Sequence, residues 1–164
     1  MTQDAGVERA IEIANRLVVD RVARSFGASR DPRTFFVSCA RKDEAYADAT
    51  ISVLRSRGLE VLTGDGQARD DQMIPASIEQ SLLKSDVCVV LWSRNYALSP
   101  WCYDELEIAM DRSNRGQMRI WFFNLDDSHV VPRRARRIAM ISVRSPAAME
   151  SAINSLLSAG GQKT

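Results

Sequence analysis

The chain predicts an α/β fold, a three-layer sandwich with a five-stranded parallel sheet, helices on both faces and one extra N-terminal helix. Three observations lead there. Strand-like and helix-like segments alternate five times after residue 33, the pattern of a sheet whose parallel strands are joined by helical crossovers. The run Val87-Cys88-Val89-Val90-Leu91-Trp92 is apolar at every position instead of alternating, as a strand covered on both faces must be. A chain of 164 residues, 45% apolar and 26% charged, suits one compact domain and is too short for two.

Residues 5–26 predict an amphipathic helix, its apolar stripe formed by Val7, Ile11, Ala14, Leu17 or Val18, Val22 and Phe26 against Glu8, Glu12, Arg16 and Arg24. Residues 27–32 break it. Thr34-Phe35-Phe36-Val37-Ser38 is the first buried strand. Asp43 is placed to cap a helix over 44–57 with Tyr46, Ala49, Ile51, Val53 and Leu54 at helical spacing, and Gly58 ends it. Residues 59–63 give the second strand, and 64–74 a polar loop longer than the roughly 2 to 6 residues usual before a helix. Pro75 opens a helix to about Lys84, and residues 86–92 form the central strand. A helix then runs to about Arg112, residues 118–125 and 138–143 complete the sheet, and 146–158 form the last helix. The chain thus divides into an N-terminal helix and linker (1–32), the main domain (33–158) and a tail (159–164).

Composition excludes several function classes. A formal charge of +1 gives no reason to expect nucleic-acid binding, and Arg133, Arg134, Arg136 and Arg137 read as a solvated surface. Cys39, Cys88 and Cys102 are widely spaced and odd in number, so neither a disulfide framework nor a CxxC metal or redox motif is present. With no apolar leader at Met1-Thr2-Gln3-Asp4 and no membrane-length run, a cytoplasmic protein is expected, without membrane partners. His129 lacks the neighbours of a catalytic triad or zinc site, and no phosphate-binding GxxxxGK[ST] or GxGxxG follows a strand. No metal ligand set is expected.

The informative segment is Ser93-Arg94-Asn95-Tyr96-Ala97-Leu98-Ser99-Pro100-Trp101-Cys102-Tyr103-Asp104-Glu105-Leu106, which follows the central strand. Trp101 and Glu105 stand four residues apart, on one helix face, beside the crevice at the strand carboxyl ends where such sheets bind ligands. Ser38, Cys39, Ala40 and Arg41 form the first loop over the same crevice.

From Thr34 onward, over about residues 33–158, the chain resembles Toll/interleukin-1 receptor (TIR) domains of the bacterial and plant sort. The resemblance is carried by Phe36-Val37-Ser38, Arg41-Lys42-Asp43-Glu44, Arg57-Gly58-Leu59-Glu60-Val61, Ser93-Arg94-Asn95-Tyr96, and above all by Ser99-Pro100-Trp101-Cys102-Tyr103-Asp104-Glu105-Leu106. It implies a flavodoxin-like sandwich and, as in many TIR domains, cleavage of NAD+ at the nicotinamide-ribose bond, with Glu105 at the position of the family's catalytic glutamate. NAD+ is then the substrate, and no cofactor is called for. The products implied are nicotinamide and ADP-ribose or a cyclised derivative, in antiphage defence. Assembly through TIR–TIR contacts and a separate sensor or effector protein are the implied partners. The loop 64–74 departs from the family pattern: it lacks Pro-Gly-Asp and has Gly64 where an acidic residue is common. Trp92, where a smaller residue is usual, is expected to narrow the pocket.

The chemistry suits a single carboxylate. Glycoside hydrolysis commonly needs an acid to protonate a poor leaving group, whereas nicotinamide is already cationic and departs neutral. What remains is to hold the ribose and stabilise its developing positive charge, a task for an ionised Glu105. Trp101 is placed to stack on a flat ring or wall the pocket. Ser38, Cys39, Ala40 and Arg41 are placed to meet the pyrophosphate with backbone N–H groups and a guanidinium. The rival reading is a noncatalytic interaction module, an adaptor or a mimic of host signalling, which has no use for a carboxylate at position 105.

Overall fold

In the computed structural model, residues 2–25, 31–64, 76–126 and 131–160 are described. Helix α1 (Thr2–Ser25) precedes strand β1 (Thr34–Cys39), helix α2 (Glu44–Ser56), strand β2 (Glu60–Thr63), helix α3 (Ala76–Lys84) and strand β3 (Val87–Trp92). Helices α4 (Arg94–Ala97) and α5 (Pro100–Asn114), strands β4 (Arg119–Asn124) and β5 (Met140–Ser142) and helix α6 (Pro146–Gly160) complete the chain. Short 3-10 turns lie at Arg41–Asp43 and Arg133–Arg137.

The five strands pair in parallel in the order β2-β1-β3-β4-β5, as the flavodoxin-like expectation requires. Alternate residues of β3 enter opposite cores. Cys88, Val90 and Trp92 join Phe36, Phe122, Leu82 and Leu106, while Val87, Val89 and Leu91 join Phe35, Phe123, Leu54 and Ile153. All six β3 side chains are buried, which is why the strand reads as an unbroken apolar run. Gly58, at φ +74°, takes the left-handed conformation that ends α2 as expected of a glycine there.

Three expectations change. The helix foreseen after β3 is two helices, because Ser93 caps α4 through Tyr96 N and Ser99 caps α5 through Cys102 N, with Pro100 at the start of α5. Asp43 makes no side-chain bond to the start of α2. Its carboxylate instead accepts hydrogen bonds from Ser93 Oγ and Asn95 Nδ2, joining the turn after β1 to the start of α4. In α1, Ile11 and Val18 are half-buried while Val7, Ala14 and Leu17 are exposed. The helix is docked by a polar residue: Asn15 Nδ2 donates to Ser142 O at 2.7 Å and Asn15 Oδ1 accepts from Ser142 N at 3.0 Å. The side chain of Val22, and residues Phe26, His129 and 65–75, lie outside the described residues, so of the long loop only Gly64 is placed.

Candidate active site

The site sits where β1 and β2 end, beside α5. Ser38 is the fifth residue of β1, paired in register with Val90, and its side chain points toward α5. Because α5 starts at Pro100 under the Ser99 cap, Trp101 and Glu105 fall one turn apart on its sheet-facing side. Both are almost fully buried, at 5% and 2% exposure.

The Glu105 carboxylate is held at both oxygens. Trp101 Nε1 donates to Oε1 at 2.8 Å, and Ser38 Oγ donates to Oε2 at 2.7 Å. Ser38 Oγ is also 2.8 Å from Tyr96 Oη, which in turn donates to Cys102 O at 3.0 Å. Trp101 therefore does more than wall a pocket; it orients the carboxylate. Gly64, directly after β2, roofs the same group: a Cβ there would lie 2.5 Å from Glu105 Oε1 and 3.3 Å from Trp101 Nε1. The departure at position 64 thus has a steric reason, since the backbone passes too close for a side chain.

A cavity of about 370 Å³ opens beside this group, bordered by Cys39, Ala40, Arg41, Thr63, Trp101 and Glu105. The expected residues converge: Cys39, Ala40, Arg41, Trp101 and Glu105 line the cavity, and Ser38 stands behind Glu105 as its hydrogen-bond partner. Sequence reasoning missed Tyr96 and Gly64 as neighbours of the carboxylate. Tyr96 lies in the motif already singled out, but only the break between α4 and α5 turns its hydroxyl toward Ser38. Trp92 does not narrow the cavity, contrary to expectation. It is fully buried in the core, stacked on Phe122 with ring centroids 5.7 Å apart.

Burial pushes the Glu105 carboxyl up from 4.5 to about 7, against the opposing pull of the Ser38 and Trp101 hydrogen bonds and with a further push from Asp104. The ionised Glu105 expected from the sequence thus shares the range around pH 7 with its acid form. Burial also lifts the Cys39 and Cys102 thiols to about 12, so neither is a thiolate nucleophile. Among the described residues no three His, Cys, Asp or Glu side chains gather as a metal-ligand set, and no helix is long and apolar enough to cross a membrane.

Residues 35–157 match the family model described as TIR domain. The chain belongs to the TIR-domain family. Among its relatives, it is 34% identical over 112 residues to the disease resistance protein RML1A of Arabidopsis thaliana, covering 67% of this chain and 10% of that protein. Against the TMV resistance protein N of Nicotiana glutinosa it is 27% identical over 113 residues, covering 66% and 10%. The chain therefore spans about a tenth of these plant proteins. Solved structures share the fold at low identity. One is the TIR assembly of the activated Roq1 resistosome recognising the effector XopQ (TM-score 0.50, 16% identity, 74% of this chain and 84% of that one). Another is the TIR domain of the Toll-related receptor TRR-2 from Hydra magnipapillata (TM-score 0.52, 15% identity, 66% and 82%).

Proposed function

We propose that this TIR domain is an NAD+ nucleosidase that cleaves the nicotinamide-ribose bond, with Glu105 as its catalytic carboxylate. The observation that carries the reading is one buried carboxylate, held by Trp101 and Ser38, at the wall of a cavity at the carboxyl edge of the sheet. Each oxygen accepts one of these bonds and keeps a second lone pair, toward which a ribose hydroxyl can donate. In its ionised form the group stabilises the positive charge that grows on the sugar as nicotinamide leaves, and in a site this dry that attraction is little screened. Cys39, Ala40 and Arg41, bordering the same cavity, are the contacts proposed for the pyrophosphate side of the substrate. NAD+ is consumed as substrate, and no separate cofactor is invoked.

The products in this reading are nicotinamide and ADP-ribose or a cyclised ADP-ribose signal, made by a cytoplasmic bacterial protein in antiphage defence. The TIR assembly of the Roq1 resistosome supports a homo-oligomer through TIR–TIR contacts as the active form. A separate sensor or effector protein would set the trigger or read the product. The division into helix and linker (1–32), TIR domain (33–158) and tail (159–164) belongs to the same proposal.

A noncatalytic interaction module is favoured by one feature, the exposed apolar side chains Val7, Ile13 and Leu17 on α1. The two readings separate on Glu105→Ala. Purified protein is incubated with NAD+ at several protein concentrations and with a crowding agent, and nicotinamide is followed by chromatography. The proposal expects release by the wild-type protein and its loss in Glu105→Ala; equal release by both overturns it. Linear and cyclised products separate in the same run by the mass of one water.

A further inference from the structure

The hydrogen bonds behind Glu105 form a chain whose protons can be counted. Three contacts run in series: Glu105 Oε2 to Ser38 Oγ at 2.7 Å, Ser38 Oγ to Tyr96 Oη at 2.8 Å, and Tyr96 Oη to Cys102 O at 3.0 Å. Each contact needs one proton, yet Ser38 and Tyr96 bring only one hydroxyl proton each. With Glu105 ionised, one contact goes without. Either Tyr96 keeps Cys102 O and two hydroxyl oxygens face each other with no proton between them, or Tyr96 turns to Ser38 and abandons the carbonyl. With Glu105 protonated the count closes: Glu105 donates to Ser38, Ser38 to Tyr96, and Tyr96 to the backbone.

We propose that Tyr96, acting through Ser38, is a positioning residue that favours the protonated form of Glu105 and so sets the pH at which the site becomes active. This rests on the reading of Glu105 as the catalytic carboxylate, but its test does not. Tyr96 is fully buried, and burial also keeps its own phenol protonated across the working range, so it serves as a fixed relay with no proton of its own to lose. On ionisation the Glu105 proton passes to water in the cavity.

The other groups facing Glu105 are accounted for. Asp104 on α5 adds negative charge that also opposes ionisation, while Cys39 on β1, Cys88 on β3 and Cys102 on α5 are all held as neutral thiols by burial. Trp101 on α5 donates to the opposite oxygen. Gly64 after β2 brings only backbone, and Arg41, Glu44 and Asp48, from the segment of the 3-10 turn and α2, border the cavity. Removing the Tyr96 hydroxyl leaves every one of these charges in place.

The test is a titration of protein carrying 13C at the glutamate side-chain carboxyls, with the Glu105 resonance assigned from its loss in Glu105→Gln. Tyr96→Phe takes two contacts from the acid form and one from the anion, so the Glu105 midpoint is expected to fall by about half to one pH unit. In the Ser38→Ala background the same Tyr96→Phe change is expected to move nothing, because the relay is already cut. An unchanged or raised midpoint in Tyr96→Phe, or an equal shift with Ser38 already replaced, overturns the proposal. Should Tyr96→Phe fail to fold, the wild-type Tyr96 ring carbon bearing the hydroxyl is expected to titrate at the Glu105 midpoint, and a flat trace overturns the proposal. None of these readouts uses NAD+, so a chain without NAD+ cleavage can still show the relay, and an active enzyme can still lack it.

Discussion

At the scale of the residue, Glu105 is a buried acid whose ionisation costs the fold. In an unfolded chain it ionises near the ordinary 4.5, and in the native protein near about 7. Its raised value contributes stability that is fully present below 4.5 and lost as pH climbs through 7, because over that window unfolding releases the proton. The loss by pH 8 is on the order of 3 kcal/mol. Glu105→Gln keeps an acceptor for Trp101 and a donor for Ser38 without the charge. It is therefore expected to unfold at higher denaturant than the wild type at pH 8, with the gap closing toward pH 4.5, as chemical denaturation across that range would show. Gly64→Ala is the steric counterpart: its new methyl displaces a carboxylate pinned on two sides. We expect NAD+ cleavage to fall at least about tenfold, since misplacing a catalytic group by even about 1 Å is costly. A small stability loss, about 1 kcal/mol by calorimetry, is expected alongside. The sequence showed which side chains could meet, since the spacing of Trp101 and Glu105 fixes a shared helix face. It did not show the ionisation state, because burial depends on Ser38 arriving from β1 and Gly64 from just after β2.

At the scale of the element, capping residues decided where the structure departs from the sequence reading. The sequence predicts one helix running to about Arg112, whereas the Ser99 cap and Pro100 start a separate α5. Asp43 failed as a cap for α2 because Ser93 and Asn95, about fifty residues away in the chain, compete for its carboxylate. Asp43→Ala is therefore expected to loosen the turn after β1 against the start of α4 and cost about 1 to 3 kcal/mol, more than an exposed cap, in equilibrium unfolding. On α1 only Ile11 and Val18 of the expected apolar stripe are half-buried among the described side chains, and Asn15, outside that stripe, adds two hydrogen bonds to the backbone of β5. Asn15→Ala should free α1, raising hydrogen exchange along it while residues of β1 and β3 keep their protection. Equal protection of α1 in both proteins would show that the apolar contacts suffice.

At the scale of the whole molecule, the parallel sheet was legible because its central strands are buried on both faces and carry no polar interruption. The cavity lies beyond the carboxyl ends of β1 and β2, on the edge of the sheet where such folds hold ligands. The expectation of assembly came only through resemblance, since an interface between copies leaves no period in the chain. If activity needs TIR–TIR contacts, specific activity should rise with protein concentration and with crowding, in step with the oligomer fraction from sedimentation; a flat specific activity across a hundredfold dilution would show a self-sufficient monomer.

The most direct measurement is nicotinamide release from NAD+ between pH 5 and 9 by the wild-type protein and Glu105→Gln under assembling conditions. The account predicts wild-type turnover that climbs as Glu105 ionises around pH 7 and levels off above it. In Glu105→Gln it predicts turnover lower by roughly 10²- to 10³-fold, with no such rise. Comparable release by the two proteins on the alkaline plateau, where Glu105 is ionised, with the variant folded, would contradict it.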